Sequence, residues 1–256
     1  MSTSPLAVIT GSSSGIGLEL AKLAANDGYS LILAADTPFD DAITQITSHN
    51  VQTLNADLST SNGIAELVTL VGDRQVDVLC ANAGHGLGKA FLDEDFQAIR
   101  GVIGTNITGT LELLHAVAGR MQARGTGRIL LTGSMAGFMP GAYQAVYNAS
   151  KAFINNFSYA LRNELKDSGV TVTCLMPSVT DTEFWERGGT LDTKAGSGEK
   201  GSPDKPALAG WEAMKAGKDE VSPGLGHTIE KAALKVMPAE IAAEMNAKDL
   251  KPRPAR

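Results

Sequence analysis

In the stretch GSMAGFMPGAYQAVYNASKAF (133–153), Tyr143, Tyr147 and Lys151 are spaced four apart, and residues at that spacing share one face of an α-helix. A phenol with a pKa of about 10 is a poor acid–base catalyst near neutrality unless a nearby cation stabilises its phenolate. A lysine one helical turn away supplies such a cation. At about 1.5 Å of rise per residue, Tyr143 stands roughly 12 Å along the helix from Lys151, whereas Tyr147 stands about 6 Å from it. Tyr147 is therefore the tyrosine that can work with Lys151, and Tyr143 is expected at a pocket mouth or over the first helical turn. Ser134 closes the apolar run GRILLTGS (127–134), where it can donate a hydrogen bond to a substrate oxygen and stabilise charge developing there. The chemistry open to such a set is general acid–base catalysis, a proton passing to or from a substrate oxygen. Each residue also has a structural role open to it: a packed tyrosine, a lysine stem along the surface, a capping serine.

A second constellation lies near the N-terminus. VITGSSSGIG places Gly11, Gly15 and Gly17 after an apolar run and before the amphipathic stretch IGLELAKLAANDG. Glycines there permit a tight turn and close approach of backbone amides to a pyrophosphate, and the helix N-terminus adds a favourable dipole. The turn holds no lysine, so it is not a Walker loop. Asp36, at the end of LILAAD and 19 residues beyond Gly17, stands about where an acid accepts hydrogen bonds from adenosine ribose hydroxyls. A carboxylate would repel the 2′-phosphate of NADP, and the turn offers no Arg or Lys to receive it, so NAD is favoured and NADP is the alternative. Asp36 could instead merely open the turn DTP, with Asp40 or Asp41 capping the next helix. Asp57 in NADLS could hold the adenine edge or cap a helix beginning near Ser59. The amide of Asn82, in ANAG, can bond to backbone and fix its loop.

These residues need a scaffold that brings strand ends together. LAVIT, SLILAA, VQTLNADL, VDVLCANAG, GRILLTGS and VTVTCLMP alternate with stretches of helical period. That alternation predicts an α/β fold, a Rossmann-like three-layer sandwich with a mostly parallel, doubly wound sheet and helices on both faces. With 256 residues, 43% of them hydrophobic, one domain over 1–256 is expected. GGTLDTKAGSGEKGSPDKPA (188–207) is rich in Gly, Ser, Lys and Asp and reads as a loop. A lid over 183–210 is expected, bordering the crevice at the strand ends, followed by C-terminal helices at about 207–250 broken around Pro238.

The net charge of −6 provides no basic field for nucleic acid. No apolar run is long enough to span a membrane, and the N-terminus lacks the pattern of a signal peptide. The two cysteines, Cys80 and Cys174, close apolar runs and read as buried thiols of a reducing compartment, so a cytoplasmic protein is expected. His85, in a glycine-rich loop, is a candidate to line the pocket. His115 falls on a helical period with Leu111 and Leu114 and reads as structural. No His/Cys/Asp cluster has metal-ligand spacing, and no metal is expected.

TGSSSGIG (10–17), NAG (82–84), GTNITG (104–109), Ser134 and YNASK (147–151) occur in that order over nearly the whole chain. In this the sequence resembles the classical short-chain dehydrogenase/reductase family, in particular a less characterised bacterial subgroup. Ser134 precedes Tyr147 by 13 residues, the family interval. The resemblance implies a catalytic set of Asn106, Ser134, Tyr147 and Lys151. In it Lys151 also holds the nicotinamide ribose, and Asn106 holds a water linking the lysine to solvent. It implies cofactor contacts from Gly11, Ser13, Ser14, Gly15, Ile16, Asp36, Asp57, Leu58, Asn82, Tyr147, Lys151, Pro177 and Thr182. The sequence departs from the family pattern at Ala81, where an asparagine is usual, and at Ser178, where a glycine follows the proline. Asp36 stands where NADP-preferring members often have arginine, and the acid of NAD-preferring members falls at Ala35.

The implied function is an NAD(P)-dependent oxidoreductase interconverting an alcohol and a ketone or aldehyde, with Tyr147 as general acid/base. A non-catalytic dinucleotide-sensing regulator is the alternative; it predicts erosion of the Ser/Tyr/Lys set. A sugar-nucleotide epimerase would share YxxxK but needs a larger substrate region after residue 180. The partners expected are a small-molecule alcohol or carbonyl substrate and, by family habit, further copies in a homodimer or homotetramer built on 93–124 and 142–166.

Overall fold

The computed structural model describes residues 4–48, 50–224, 232–234 and 236–253. Its sheet has seven strands: β1 (Leu6–Thr10), β2 (Ser30–Ala35), β3 (Val51–Asn55), β4 (Val78–Ala81), β5 (Gly127–Thr132), β6 (Val170–Leu175) and β7 (Glu220–Val221). Their order is β3-β2-β1-β4-β5-β6-β7, and every neighbouring pair is parallel. The chain winds outward from β1 through β2 to β3, then returns to place β4 on the other side of β1. That reversal opens a crevice at the carboxyl ends of β1 and β4, where a doubly wound sheet binds its ligand.

The helices are α1 (Gly15–Asn26), α2 (Asp40–Ile43), α3 (Ser61–Val71), α4 (Phe96–Ile103), α5 (Thr110–Arg124), α6 (Ala145–Leu165), α7 (Phe184–Arg187), α8 (Lys194–Ser197), α9 (Asp204–Lys215) and α10 (Ala239–Leu250). Strand residues alternate between the faces with a period of two. Val8, Leu79 and Ile129 pack with Leu67, Val117, Met121 and Ile154 in one core layer. Ala7, Ile9, Leu33 and Leu130 pack with Leu20, Ala24, Trp211 and Met214 in the other. Near-continuous apolar strands are required because both faces are covered, as the full burial of Ala7, Val8 and Ile9 shows.

Three local expectations need correction. Tyr143 is not on the helix with Tyr147 and Lys151: α6 begins at Ala145, and Tyr143 precedes it with φ of +65°, the positive-φ non-glycine residue among those described. The three-residue stack thus loses its first member to the turn that starts the helix. His115 is exposed, whereas the buried stripe of α5 is Leu113, Leu114, Val117, Ala118 and Met121; the period was right, but the face was not. Residues 188–207 are not plain loop. Thr193 caps α8 by accepting from the Gly196 N–H, Thr190 and Thr193 are both buried, and α9 already begins at Asp204. Pro238 stands at the start of α10, while 225–231 and 235, in the helical stretch expected before it, lie outside the described residues.

Candidate active site

The nucleotide end is built from backbone. β1 ends at Thr10, and the chain turns through Gly11 and Gly15 with φ of +64° and +54°, a region costly to residues with a Cβ. Space is as restrictive as conformation. A Cβ on Gly11 would come within 2.8 Å of Ala83 Cα, and one on Gly15 within 2.8 Å of Thr182 Cγ2. Ser14 precedes α1 without capping it, and the first turn of α1 has no acid. Its N–H groups are therefore left to an external anion. Ser13, Ser14, Ile16, Asp57 and Leu58 line the same cavity of about 400 Å³.

Asn82 ties the two strand ends together. Its Nδ2 donates to the carbonyls of Thr10 and Gly11 at 3.1 and 3.3 Å, and its Oδ1 accepts from Thr132 Oγ1 at 2.9 Å. The reading of a short amide holding its loop to backbone holds. Asp57 Oδ1 accepts from the Ser59 N–H at 2.9 Å, but Thr60, not Asp57, caps α3. Leu58 is pinned from behind by a π-turn, Gly104–Gly109, joining α4 to α5: a Cβ on Gly109 would strike the Leu58 carbonyl.

The adenosine end holds what the sequence could not show. The Arg187 guanidinium, from α7, pairs with both carboxylate oxygens of Asp36. The glycine-rich turn indeed has no cation, yet one arrives from 151 residues away. Arg187 and Asp36 each line the cavity, with Thr37 beside them through a 2.6 Å hydrogen bond to Ser13.

At the other end, Ser134, Tyr147 and Lys151 converge on that cavity. The Ser134 hydroxyl stands near enough to the Tyr147 phenol to favour its ionised form. Asn155, a residue not singled out from sequence, fixes Ser134 by accepting from its N–H at 3.2 Å and donating to its carbonyl at 2.9 Å. Lys151 Nζ lies 6.0 Å from the centre of the Tyr147 ring and donates to the Thr132 carbonyl at 2.8 Å. Burial lowers the Lys151 pKa to about 8. Burial also pushes the Tyr147 phenol above its ordinary 10, opposed by the neighbouring Ser134 hydroxyl. Asn106 sits in the π-turn, where backbone irregularity often marks function. Its Oδ1 accepts from the His85 N–H at 3.0 Å, and its Nδ2 donates to the His85 carbonyl and to Ser150 Oγ at 3.1 and 2.9 Å. Asn106 therefore braces the 83–88 loop beside Lys151. His85 itself lines the cavity, and burial lowers its pKa, so it is neutral at pH 7.

Pro177 and Thr182 lie on the connection after β6, along the cavity wall; the Pro177 carbonyl accepts from the Met135 N–H at 3.1 Å. Beyond them Phe184 packs against Tyr147 with ring centres 4.9 Å apart and planes inclined at 57°. Met139, Gln144, Met245, Asn246 and Leu250 complete that end. None of these had a motif to announce it. A weak signal existed in the aromatic pair Phe184–Trp185 within an otherwise polar stretch.

The model of the family described as short chain dehydrogenase matches residues 5–190. The chain belongs to the short-chain dehydrogenase family. An uncharacterized oxidoreductase of Staphylococcus saprophyticus is 31% identical over 217 residues, covering 82% of this chain and 91% of the relative. Among solved structures, a short-chain dehydrogenase from Sphingobium yanoikuyae in complex with NADPH is 29% identical with a TM-score of 0.81, covering 98% of each chain. A bulky-bulky ketone specific alcohol dehydrogenase from Comamonas testosteroni is 28% identical with a TM-score of 0.76, covering 95% of this chain and 99% of that one. This dehydrogenase is an NAD(P)-dependent oxidoreductase on a Rossmann-like sheet. The glycine turn, the uncapped α1 N-terminus and the Asp36 carboxylate fit such a cofactor. Among the described residues no helix is long and apolar enough to cross a membrane.

Proposed function

We propose that the protein interconverts an alcohol and a ketone or aldehyde, with Tyr147 as the general acid/base. The observation that carries this reading is the convergence of Ser134, Tyr147 and Lys151 on the same cavity as the glycine-rich turn. The bound nicotinamide cofactor supplies or accepts the hydride. In reduction the carbonyl oxygen accepts hydrogen bonds from Ser134 and Tyr147. As hydride reaches carbon, the phenol proton passes to oxygen, so that carbonyl, reduced cofactor and one proton give alcohol and oxidised cofactor. Lys151 holds positive charge beside the phenolate that remains, which solvent then reprotonates. Oxidation runs the same steps backward, with the phenolate as base. Phe184 covers the tyrosine and keeps bulk water from it.

Asp36 supports a preference for NAD, since its carboxylate can accept from ribose hydroxyls and repels a 2′-phosphate. Arg187 moderates that repulsion, so the discrimination is set by the pair rather than by the acid alone. Cys80 and Cys174 are buried thiols, which supports a cytoplasmic protein. Exposed Leu92, Phe96, Ile103 and Phe153, on and beside α4 and α6, support self-association through 93–124 and 142–166. We read 183–210 as the substrate lid. The deciding experiment is Tyr147→Phe: cofactor titration by fluorescence is retained while turnover of a carbonyl substrate is lost. Near-wild-type turnover on an identified substrate overturns the reading.

A further inference from the structure

The substrate end of the cavity carries two polar groups that the mechanism does not use. Gln144 and Asn246 both line it, and they are 4% and 8% exposed. Gln144 Nε2 and Asn246 Oδ1 have no hydrogen-bond partner among the described residues. An unpaired buried amide is costly, so native folds contain few. Neither has an evident structural task. Gln144 is the N-cap residue of α6, yet its side chain caps nothing, and it follows Tyr143, whose positive φ is the kind of strain that functional sites retain. Asn246 interrupts the buried face of α10 between Ala242 and Leu250, and its remaining polar atom reaches only Met139 Sδ at 3.7 Å. Exchanging oxygen and nitrogen in Asn246 would set its oxygen against Met139 Sδ, which has no hydrogen to donate.

Charge narrows the ligand further. Among the described residues, the cavity wall carries the carboxylates Asp36, Asp57, Glu183 and Asp249 against the cations Lys151 and Arg187. Lys151 donates to the Thr132 carbonyl and Arg187 is paired with Asp36. An anionic group at the substrate end would meet no uncommitted cation there. Met135, Met139, Val179, Phe184, Met245 and Leu250 supply an apolar body.

We propose that Gln144 and Asn246 are substrate-specificity residues, and that the substrate is an uncharged carbonyl compound or alcohol bearing a second hydroxyl or carbonyl group that these amides bind. Gln144 lies three residues before Tyr147, about 4.5 Å along the chain axis, so the second group sits a few bonds from the reacting carbon. A hydroxyl accepts from one amide and donates to the other; a carbonyl accepts from a donor amide. The inference rests on the alcohol–carbonyl reading above, and its test is made on binding so that the two can fail separately.

In Tyr147→Phe protein saturated with oxidised cofactor, calorimetry compares cyclohexanone, its 2-, 3- and 4-hydroxy derivatives and 4-oxocyclohexanecarboxylate. At least one hydroxylated ketone is expected to bind tenfold or more tightly than cyclohexanone and than the carboxylate. That advantage falls below threefold when Gln144→Leu or Asn246→Leu is added. Each leucine variant, made in the otherwise native chain, keeps or raises Tm, because an apolar side chain replaces an unpaired buried amide. The proposal is overturned if no hydroxylated ketone is preferred, if the carboxylate is preferred, or if the preference survives both substitutions. A Tm drop of several degrees with the preference intact assigns the amides to the fold and also overturns it. A preference that the leucine substitutions abolish, with no turnover of that ketone by the native protein, supports the assignment of the amides and removes the catalytic reading instead.

Discussion

The two ends of the cavity are made differently. The nucleotide end, from β1 through the glycine turn into α1, uses backbone atoms supplied within a few residues of one another. The substrate end assembles side chains from the start of α6, from α7 and from α10, which are as much as about a hundred residues apart in sequence. A backbone site recognises a part common to every turnover and leaves its mark as glycine at fixed spacing. A side-chain site recognises a part that varies and leaves no fixed pattern. Substitutions should therefore act through sterics and charge at the first end and through chemistry and hydrogen bonding at the second.

The largest break in that comparison is Tyr147→Phe. Kinetics should show kcat reduced by about 10²–10⁴ while the cofactor dissociation constant, read by fluorescence, moves little. At the opposite end, Gly15→Val should act in the reverse sense. Its Cβ meets Thr182 at 2.8 Å in a backbone region with φ of +54°, so cofactor affinity should drop by about tenfold or more, with a stability loss on the order of 1–3 kcal/mol. Equal loss of cofactor affinity in both variants would erase the division.

Next in size is Asp36→Asn. It removes the carboxylate from the adenosine end and leaves the Arg187 cation without its partner, so NADPH should gain about tenfold relative to NADH, a change of about 1.4 kcal/mol. Arg187→Ala should move the ratio the other way. A ratio unchanged in both would show that this pair does not read the cofactor.

The Lys151 pKa of about 8 links the catalytic end to pH. Carbonyl reduction should decline as pH rises through about 8, when Lys151 loses its charge. Alcohol oxidation should climb with pH, because the raised Tyr147 pKa leaves little phenolate at neutrality. For stability the sign follows from a folded pKa below the unfolded 10.5: the penalty of the buried ammonium is complete below about 8 and is relieved as pH rises toward 10.5. Lys151→Met should thus raise stability at pH 7 by on the order of 2 kcal/mol, net of the lost bond to Thr132, and by less at pH 10, in denaturant melts. The smallest effect is expected at the surface. Phe153→Asp should shift the sedimentation profile toward monomer, with little change in the pH profile of the remaining activity.

Much of this architecture could be read in advance because local signals carried it. Near-continuous apolar runs such as LAVIT and SLILAA had one economical home, a sheet covered on both faces. Gly11, Asn82 and Ser134 follow the ends of β1, β4 and β5, and with Tyr147 and Lys151 of α6 they line the cavity. Misreadings arose where a long-range contact decided the outcome. Tyr143 kept the register of Tyr147 and Lys151 but lies before the helix start. His115 kept the period of Leu111 but faces solvent. The polar composition of 188–207 concealed Thr190 and Thr193, whose hydroxyls find buried backbone partners.

The sequence by itself determined the sheet, the nucleotide turn and the Ser–Tyr–Lys set, because glycine torsions, strand periodicity and a one-turn helical spacing are local properties of the chain. Only the tertiary structure decided that Arg187 meets Asp36, that Asn155 holds Ser134, and that the amides of Gln144 and Asn246 end unpaired in one cavity. Those facts depend on where separate segments pack, and no spacing along the chain encodes a contact made across it.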